Sequence, residues 1–204
     1  MSEAGYKYDS NYPFLSYITN RSKDPLRSFY DATIFYRDIF IPLGLRRGDK
    51  VLDVGSCVGR MDRFFRPVGI NTYGIDINFS ALVKGVELNH SNNGIVADAL
   101  FLPFKNASFD YVVSYDFLEH VPSDRLSQVL DEMERVSRNK VMFHRITTIE
   151  DKNIDSDESH VTKWSEETWK EWFANHGWKA DPSITKKSPI LSKVMYGNFL
   201  IIKS

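Results

Sequence analysis

Hydrophobic positions along this chain switch repeatedly between two periods. Residues 51–54 (Val-Leu-Asp-Val) form a short apolar run that suits a buried strand, and Met61, Phe64, Phe65 and Val68 then recur at helical spacing. The alternation continues: 72–76 predicts a second strand, 81–88 a second helix, 94–97 a third strand and 111–114 a fourth. Leu126, Val129, Leu130 and Met133 mark a further helix, and 140–146 a fifth strand. Strands that alternate with helices in this way build βαβ units around a mostly parallel sheet.

The flanks depart from that rhythm. Residues 1–23 are polar and carry Tyr6, Tyr8, Tyr12 and Tyr17 with no clear period. Asp24-Pro25 reads as an N-cap with proline in the first helical position, and the helix runs through Leu26, Phe29, Tyr30 and Ile34 to near Pro42. Residues 147–160 hold Glu150, Asp151, Asp155, Asp157 and Glu158 and few apolar positions, which predicts a mobile loop long enough to act as a lid. Behind it, Ser165 can cap a helix with Trp164 and Trp169 as a hydrophobic staple; Trp169, Trp172, Phe173 and His176 share one face, and Gly177 ends it. Runs at 178–184 and 196–202 read as an antiparallel pair. The expected architecture is a doubly wound α/β fold: a mostly parallel seven-stranded sheet, helices on both faces, and an antiparallel C-terminal strand pair. Residues 1–45 are expected to form a helical cap that covers a substrate, and 46–204 the main domain.

Composition narrows the function. The chain has 204 residues, enough for one domain with its own core, and a formal net charge of −1 argues against a general nucleic-acid binder. Cys57 is the sole cysteine, so a disulfide within the chain and cysteine-based zinc sites are excluded. No apolar run approaches the ~20 residues of a membrane span, and the first residues lack the basic-then-apolar pattern of a signal peptide. The expectation is a soluble cytoplasmic protein.

The chemistry concentrates at strand ends. The first strand passes into Gly55-Ser56-Cys57-Val58-Gly59 and then a helix, so the backbone can run close to a ligand with helix-start amides aimed at it. Asp76 ends the second strand, where a carboxylate can accept two hydrogen bonds from a ribose diol. Asp98 and Ala99 follow the third strand. Tyr115, Asp116, Glu119 and His120 follow the fourth. His144 near the end of the fifth strand either faces the same cleft or is a satisfied structural histidine. Arg60, Arg63 and Arg66, three apart on one helix, predict a solvated face. Cys57 reads as a small turn residue rather than a redox thiol.

This ordered series resembles the class I S-adenosylmethionine-dependent methyltransferases across roughly residues 45–204. The resemblance rests on Asp53 with the Gly55–Gly59 turn, on Tyr73-Gly74-Ile75-Asp76, on Ala97-Asp98-Ala99 before Leu102-Pro103-Phe104, and on Ser108 to Ser114 with Glu119-His120-Val121 beyond. Cys57 stands where that family usually has its middle glycine. The resemblance implies that Asp53, Gly55, Ser56, Gly59, Asp76, Ile77, Asp98, Ala99 and Tyr115 bind S-adenosylmethionine, with Asp98 at the adenine. It implies in-line methyl transfer to an oxygen or nitrogen of a small-molecule acceptor, with His120 as the catalytic candidate.

An acidic-x-x-Glu-His element also resembles the metal-dependent ubiquinone-pathway O-methyltransferases and small-RNA 2′-O-methyltransferases. That resemblance implies Asp116, Glu119, His120 and His160 as ligands for Mg²⁺ or Mn²⁺, provided one helical turn aims the first three the same way. Two other readings stay open: a cofactor-binding relative without activity, and a dinucleotide-dependent oxidoreductase. Against the latter, Gly55-x-x-x-Gly59 lacks the usual G-x-G-x-x-G spacing.

Overall fold

The computed structural model describes residues 23–150, 158–180 and 196–203. Helix α1 spans Pro25–Phe35, and the side chain of Asp24 caps it by accepting from the Leu26 amide at 2.9 Å. The helical path continues through a π turn at Tyr36–Phe40 and a last turn at Ile41–Leu43, and Gly44 stops it with φ 62°.

From there the expected alternation appears. Strand β1 is Lys50–Val54, α2 Arg60–Phe65, β2 Asn71–Asp76, α3 Phe79–Glu87 and β3 Gly94–Val96. Strand β4 is Tyr111–Tyr115, α4 Leu126–Val136 and β5 Val141–Thr147. Helix α5, Glu166–Asn175, is followed by β6 at Trp178–Ala180 and β7 at Tyr196–Lys203. The seven strands form one sheet in the order β3-β2-β1-β4-β5-β7-β6. Its first five strands run parallel; β7 runs antiparallel to β5 from Val141↔Ile202 to Thr147↔Tyr196, and β6 antiparallel to β7. The doubly wound fold with an antiparallel C-terminal pair is therefore as read from the sequence. Half of the lid expected at 147–160, namely 151–157, and residues 181–195 lie outside the described residues, as do residues 1–22.

The strand pleat sorts side chains into two cores. Leu52, Val54, Val112 and Met142 face one layer with Leu126, Met133, Trp169 and Phe173. Val51, Val113 and Phe143 face the other, with Met61 and Phe65 of α2. Phe35, Ile39, Leu43 and Leu45 join this second core. The C-terminal half of the segment expected as a cap is thus a layer of the domain itself. On the opposite face, Ser165 accepts from the Thr168 amide at 3.0 Å, and the Trp164 and Trp169 rings lie 4.8 Å apart as the staple requires. Among the described residues no helix is long and apolar enough to cross a membrane.

β1 lies between β2 and β4, so the connections leaving its neighbours turn to opposite sides. A crevice at such a switch point, outside the carboxyl ends of the strands, is where ligands bind in open α/β sheets.

Candidate active site

The turn after β1 is stitched to β2 by its own amides. Gly55 and Ser56 both donate to the carbonyl of Ile75 at 2.9 Å, Gly59 donates to Ser56 at 2.8 Å, and Cys57 donates to Asp76 Oδ2 at 2.8 Å. These four amides, which precede the helix start at Arg60, bond within the protein. The glycines likewise serve close packing. A Cβ on Gly55 would lie 2.5 Å from Phe117 Cδ2, and one on Gly59 would lie 2.4 Å from Ser91 Cβ. Ser56 is turned inward too: it is buried, and a Cβ on Gly74 would meet its Oγ at 2.5 Å. Gly55, Ser56 and Gly59 therefore leave the room that Phe117, Gly74 and Ser91 occupy around the turn. A dinucleotide needs open amides to cradle its pyrophosphate; this turn offers none at 55, 56, 57 or 59.

Asp76 gains what the turn gives up. Its Oδ2 accepts from Cys57 and its Oδ1 from the Asn78 amide at 2.8 Å. Burial pushes this carboxyl up, while the amides of Asn78, Cys57 and Ile77 pull it down. Two oxygens with about four lone-pair sites can take a ribose diol as well. Reaching Asp76 forces Cys57 to φ 49°, in the left-handed region. Its thiol is pushed up to about 12 by burial and by the charge of Asp76, so it is no thiolate nucleophile. Asp53 is buried below the turn, and burial, reinforced by Asp76 and Asp62, raises its carboxyl to about 7.

Ile77, next to Asp76, is 39% exposed and offers an apolar surface to a flat base. Asp98 is half-buried and accepts from the Leu100 amide at 2.9 Å, which makes it a turn residue in its own right; Ala99 beside it is buried. Asp76 and Ile77 thus stand at the carboxyl end of β2, and Asp98 and Ala99 just beyond that of β3.

Beyond β4 the expected helical turn does not form. Asp116 sits at φ 53°, outside the helix, and only Leu118–His120 coil, as a tight 3-10 turn. Glu119 is wholly buried; its Oε1 accepts from the Thr147 amide at 2.7 Å, and burial with the Asp116 charge raises its carboxyl to about 8. Its carbonyl accepts from Val161 and Thr162, both at 3.0 Å, so this turn seats the segment before α5. His120 Nδ1 lies 3.2 Å from the Ser159 carbonyl and 3.0 Å from the Ser159 hydroxyl, and the His120 and His160 rings lie 4.7 Å apart. The proposed metal set is corrected: the two histidines meet, but Glu119 turns to β5 and Asp116 pairs with Arg145 at 3.6 Å. Among the described residues no three His, Cys, Asp or Glu side chains converge as a metal ion requires.

Of the two readings of His144, the structure takes the structural one. It is fully buried, shares a 2.8 Å hydrogen bond with Ser114 Oγ, stacks on Phe173 at 5.5 Å, and is pushed down to about 3 by burial. The arginines of α2 are also not a plain solvated face. Arg60 pairs with Asp31 at 2.8 Å, Arg63 reaches His90 at 3.2 Å, and Arg66 donates to the Asn89 carbonyl at 3.2 Å. Sequence reasoning passed over Phe117 and Arg145. Arg145 lies buried at the end of β5 with its guanidinium 4.2 Å from the centre of the Tyr115 ring. A lone charge inside an otherwise apolar strand was the signal for it.

Comparison with known proteins agrees with this geometry. The family profile of a methyltransferase domain matches residues 52–143. A demethylmenaquinone methyltransferase of Staphylococcus aureus is 34% identical over 116 residues, which is 53% of this chain and 47% of that protein. The chain spans about half the length of the curated relatives it matches. The solved structure of the PH0226 protein from Pyrococcus horikoshii superposes with a TM-score of 0.67 at 21% identity, covering 86% of this chain and 91% of that one. An S-adenosylmethionine-dependent methyltransferase from Aquifex aeolicus superposes with a TM-score of 0.65 at 15% identity, covering 91% and 97%.

Proposed function

We propose that this chain, whose residues 52–143 match a methyltransferase-domain profile, transfers a methyl group from S-adenosylmethionine to a small-molecule acceptor through a hydroxyl or an amine. The observation that carries the proposal is Asp76, held by two amides at the end of β2 and presented at the switch point.

When bound, S-adenosylmethionine supplies a methyl group already activated by its sulfonium. The remaining work is orientation and exclusion of water. Asp76 takes the ribose hydroxyls, Ile77 packs on the base, and Asp98 with Ala99 meets the adenine. Asp53, Gly55 and Gly59 frame the methionine end from the end of β1, and Tyr115 at the end of β4 frames it on the side where the acceptor approaches. His120 is the candidate base. Ser159 meets Nδ1 with both its carbonyl, at 3.2 Å, and its hydroxyl, at 3.0 Å, and in the tautomer that carries its proton on Nδ1 the lone pair lies on Nε2. That nitrogen takes the acceptor's proton as the methyl moves. Among the described residues, Asp116, Glu119, His120 and His160 do not converge as ligands for one Mg²⁺ or Mn²⁺.

We assign the acceptor cover to residues 1–45, whose end from Phe35 to Leu45 ties it to the domain core, and to 147–160, because additions outside the regular alternation of an α/β fold commonly set substrate choice. A cytoplasmic site of action belongs to the same proposal, in keeping with a chain that has one cysteine and no disulfide.

The test is transfer of label from methyl-labelled S-adenosylmethionine to pools of small hydroxyl- and amine-bearing compounds. Labelled product that disappears with His120→Asn supports the proposal. Tight binding of S-adenosylhomocysteine with no transfer to any pool would favour the inactive relative.

A further inference from the structure

One unbroken series of contacts joins the turn after β1 to the ends of β4 and β5, and it passes through α1. Asp31 of α1, 3% exposed, pairs with Arg60 at 2.8 Å. Arg60 opens α2 immediately after Gly59, and its guanidinium lies 5.6 Å from the centre of the Phe35 ring. Phe35, one turn along α1 from Asp31, meets the Tyr115 ring edge-on at 5.0 Å. Arg145 covers Tyr115 at 4.2 Å and pairs with Asp116 at 3.6 Å. The series therefore alternates ion pair, cation–π contact, ring contact, cation–π contact and ion pair. Arg60 also acts on the turn itself, since its charge lowers both the Asp53 carboxyl and the Cys57 thiol.

Such a series does more than close a core. Phe35 and Ile39 already fill the apolar layer, and a buried ion pair adds little stability over apolar side chains of the same volume. What an ion pair supplies is a fixed geometry, here between α1 and the first residue of the helix behind the cofactor turn. Tyr115 is wedged between Phe35 and Arg145, so any shift of α1 reaches the acceptor end of the site.

We propose that Asp31, Arg60 and Phe35 are positioning residues that couple cofactor binding at the β1–α2 turn to the placement of Tyr115 at the acceptor end. The coupling rests on the methyltransferase reading and adds to it a role for α1. Occupation of the turn fixes Arg60, Arg60 fixes α1 through Asp31, and Phe35 then sets the Tyr115 ring.

The test uses the full chain with S-adenosylhomocysteine as probe, with calorimetry and hydrogen exchange on one preparation. In the unaltered protein, saturating probe slows amide exchange in 25–35 by about tenfold or more, as expected for a segment tied to the site. In Asp31→Asn that protection is lost, and Asp31→Glu recovers part of it. Because half a buried pair can fail to fold, the double variant Asp31→Leu with Arg60→Met is measured beside it. Removal of both charges should restore the melting temperature without restoring the protection. Probe that binds while exchange in 25–35 stays unchanged would overturn the coupling, as would a double variant that transmits like the unaltered protein. A probe that does not bind at all, by calorimetry, would instead overturn the methyltransferase reading and this proposal with it.

Discussion

The backbone amide of Cys57 points at Oδ2 of Asp76 across 2.8 Å, and Cys57 adopts φ 49° to do so. The turn after the first strand therefore spends a strained residue to orient the carboxylate at the end of the second. A side chain in the left-handed region costs about 1–2 kcal/mol, whereas glycine is at ease there.

Cys57→Gly should keep the amide and lose the strain. Unfolding free energy is expected to rise by roughly 0–1 kcal/mol, because glycine's extra entropy in the unfolded chain offsets part of the gain. Affinity for S-adenosylhomocysteine should hold within about threefold, since the contact to Asp76 is a backbone one. Cys57→Val, β-branched and averse to positive φ, should destabilise. Denaturant melts of the two variants check the order; a Val variant as stable as the Gly variant would contradict it.

Gly55→Ala should be poorly tolerated for a different reason. The new methyl would stand 2.5 Å from Phe117 Cδ2 and 2.9 Å from its Cβ, at φ 77°. Strain and overpacking together are expected to cost about 2–4 kcal/mol. Trimming the ring, Phe117→Ala, in the same chain should recover part of that loss. A double-mutant cycle in urea measures it, and additive losses would show that the ring has room to move.

The Asp53 carboxyl, raised to about 7 by burial and by its acidic neighbours, predicts a pH dependence. Between the unfolded value of 3.8 and about 7 the folded state holds a proton that the unfolded chain gives up. Stability from this group is therefore fully present in acid and is lost as pH rises through about 7, by about 1.4 kcal/mol per unit. Asp53→Asn, which cannot ionise, should gain on the unaltered protein by about 2–3 kcal/mol between roughly pH 5 and 7. Unfolding curves at the two pH values decide it; a constant difference would show that Asp53 is ionised in the fold throughout.

Chelation should leave the protein unmoved. Glu119 is committed to Thr147 and Asp116 to Arg145, so neither EDTA nor added Mg²⁺ or Mn²⁺ should shift the melting temperature by more than about a degree, because an ion stabilises only by binding the folded state. A clear upward shift with Mn²⁺ would revive the metal site.

How much of this was legible from the sequence follows from the range of the forces involved. Strand and helix positions were, because burial on two faces of a sheet imposes periods that survive in the residue order; Val51 and Leu52 go to opposite cores as the pleat requires. Caps were legible for the same local reason, as Asp24 and Ser165 show. Contacts between distant elements were not. Nothing near Gly55 announces that Phe117 covers it, and nothing near Asp31 announces Arg60. The acidic-x-x-Glu-His spacing misled because it assumes an α turn, whereas Asp116 takes a left-handed conformation and Leu118–His120 a 3-10 one. Glycine spacing located the turn but not Phe117 and Ser91, which pack against its two glycines.

The central claim is that the end of β2 holds the ribose of S-adenosylmethionine, and it is tested most directly by calorimetric titration of the full chain and of Asp76→Ala with S-adenosylhomocysteine and with NADH. The account predicts that the unaltered protein binds S-adenosylhomocysteine, that Asp76→Ala weakens it by about 2 kcal/mol, or roughly thirtyfold, through loss of charge-assisted hydrogen bonds, and that NADH gives no heat. Unchanged affinity in Asp76→Ala, or NADH bound as tightly as S-adenosylhomocysteine, would contradict it.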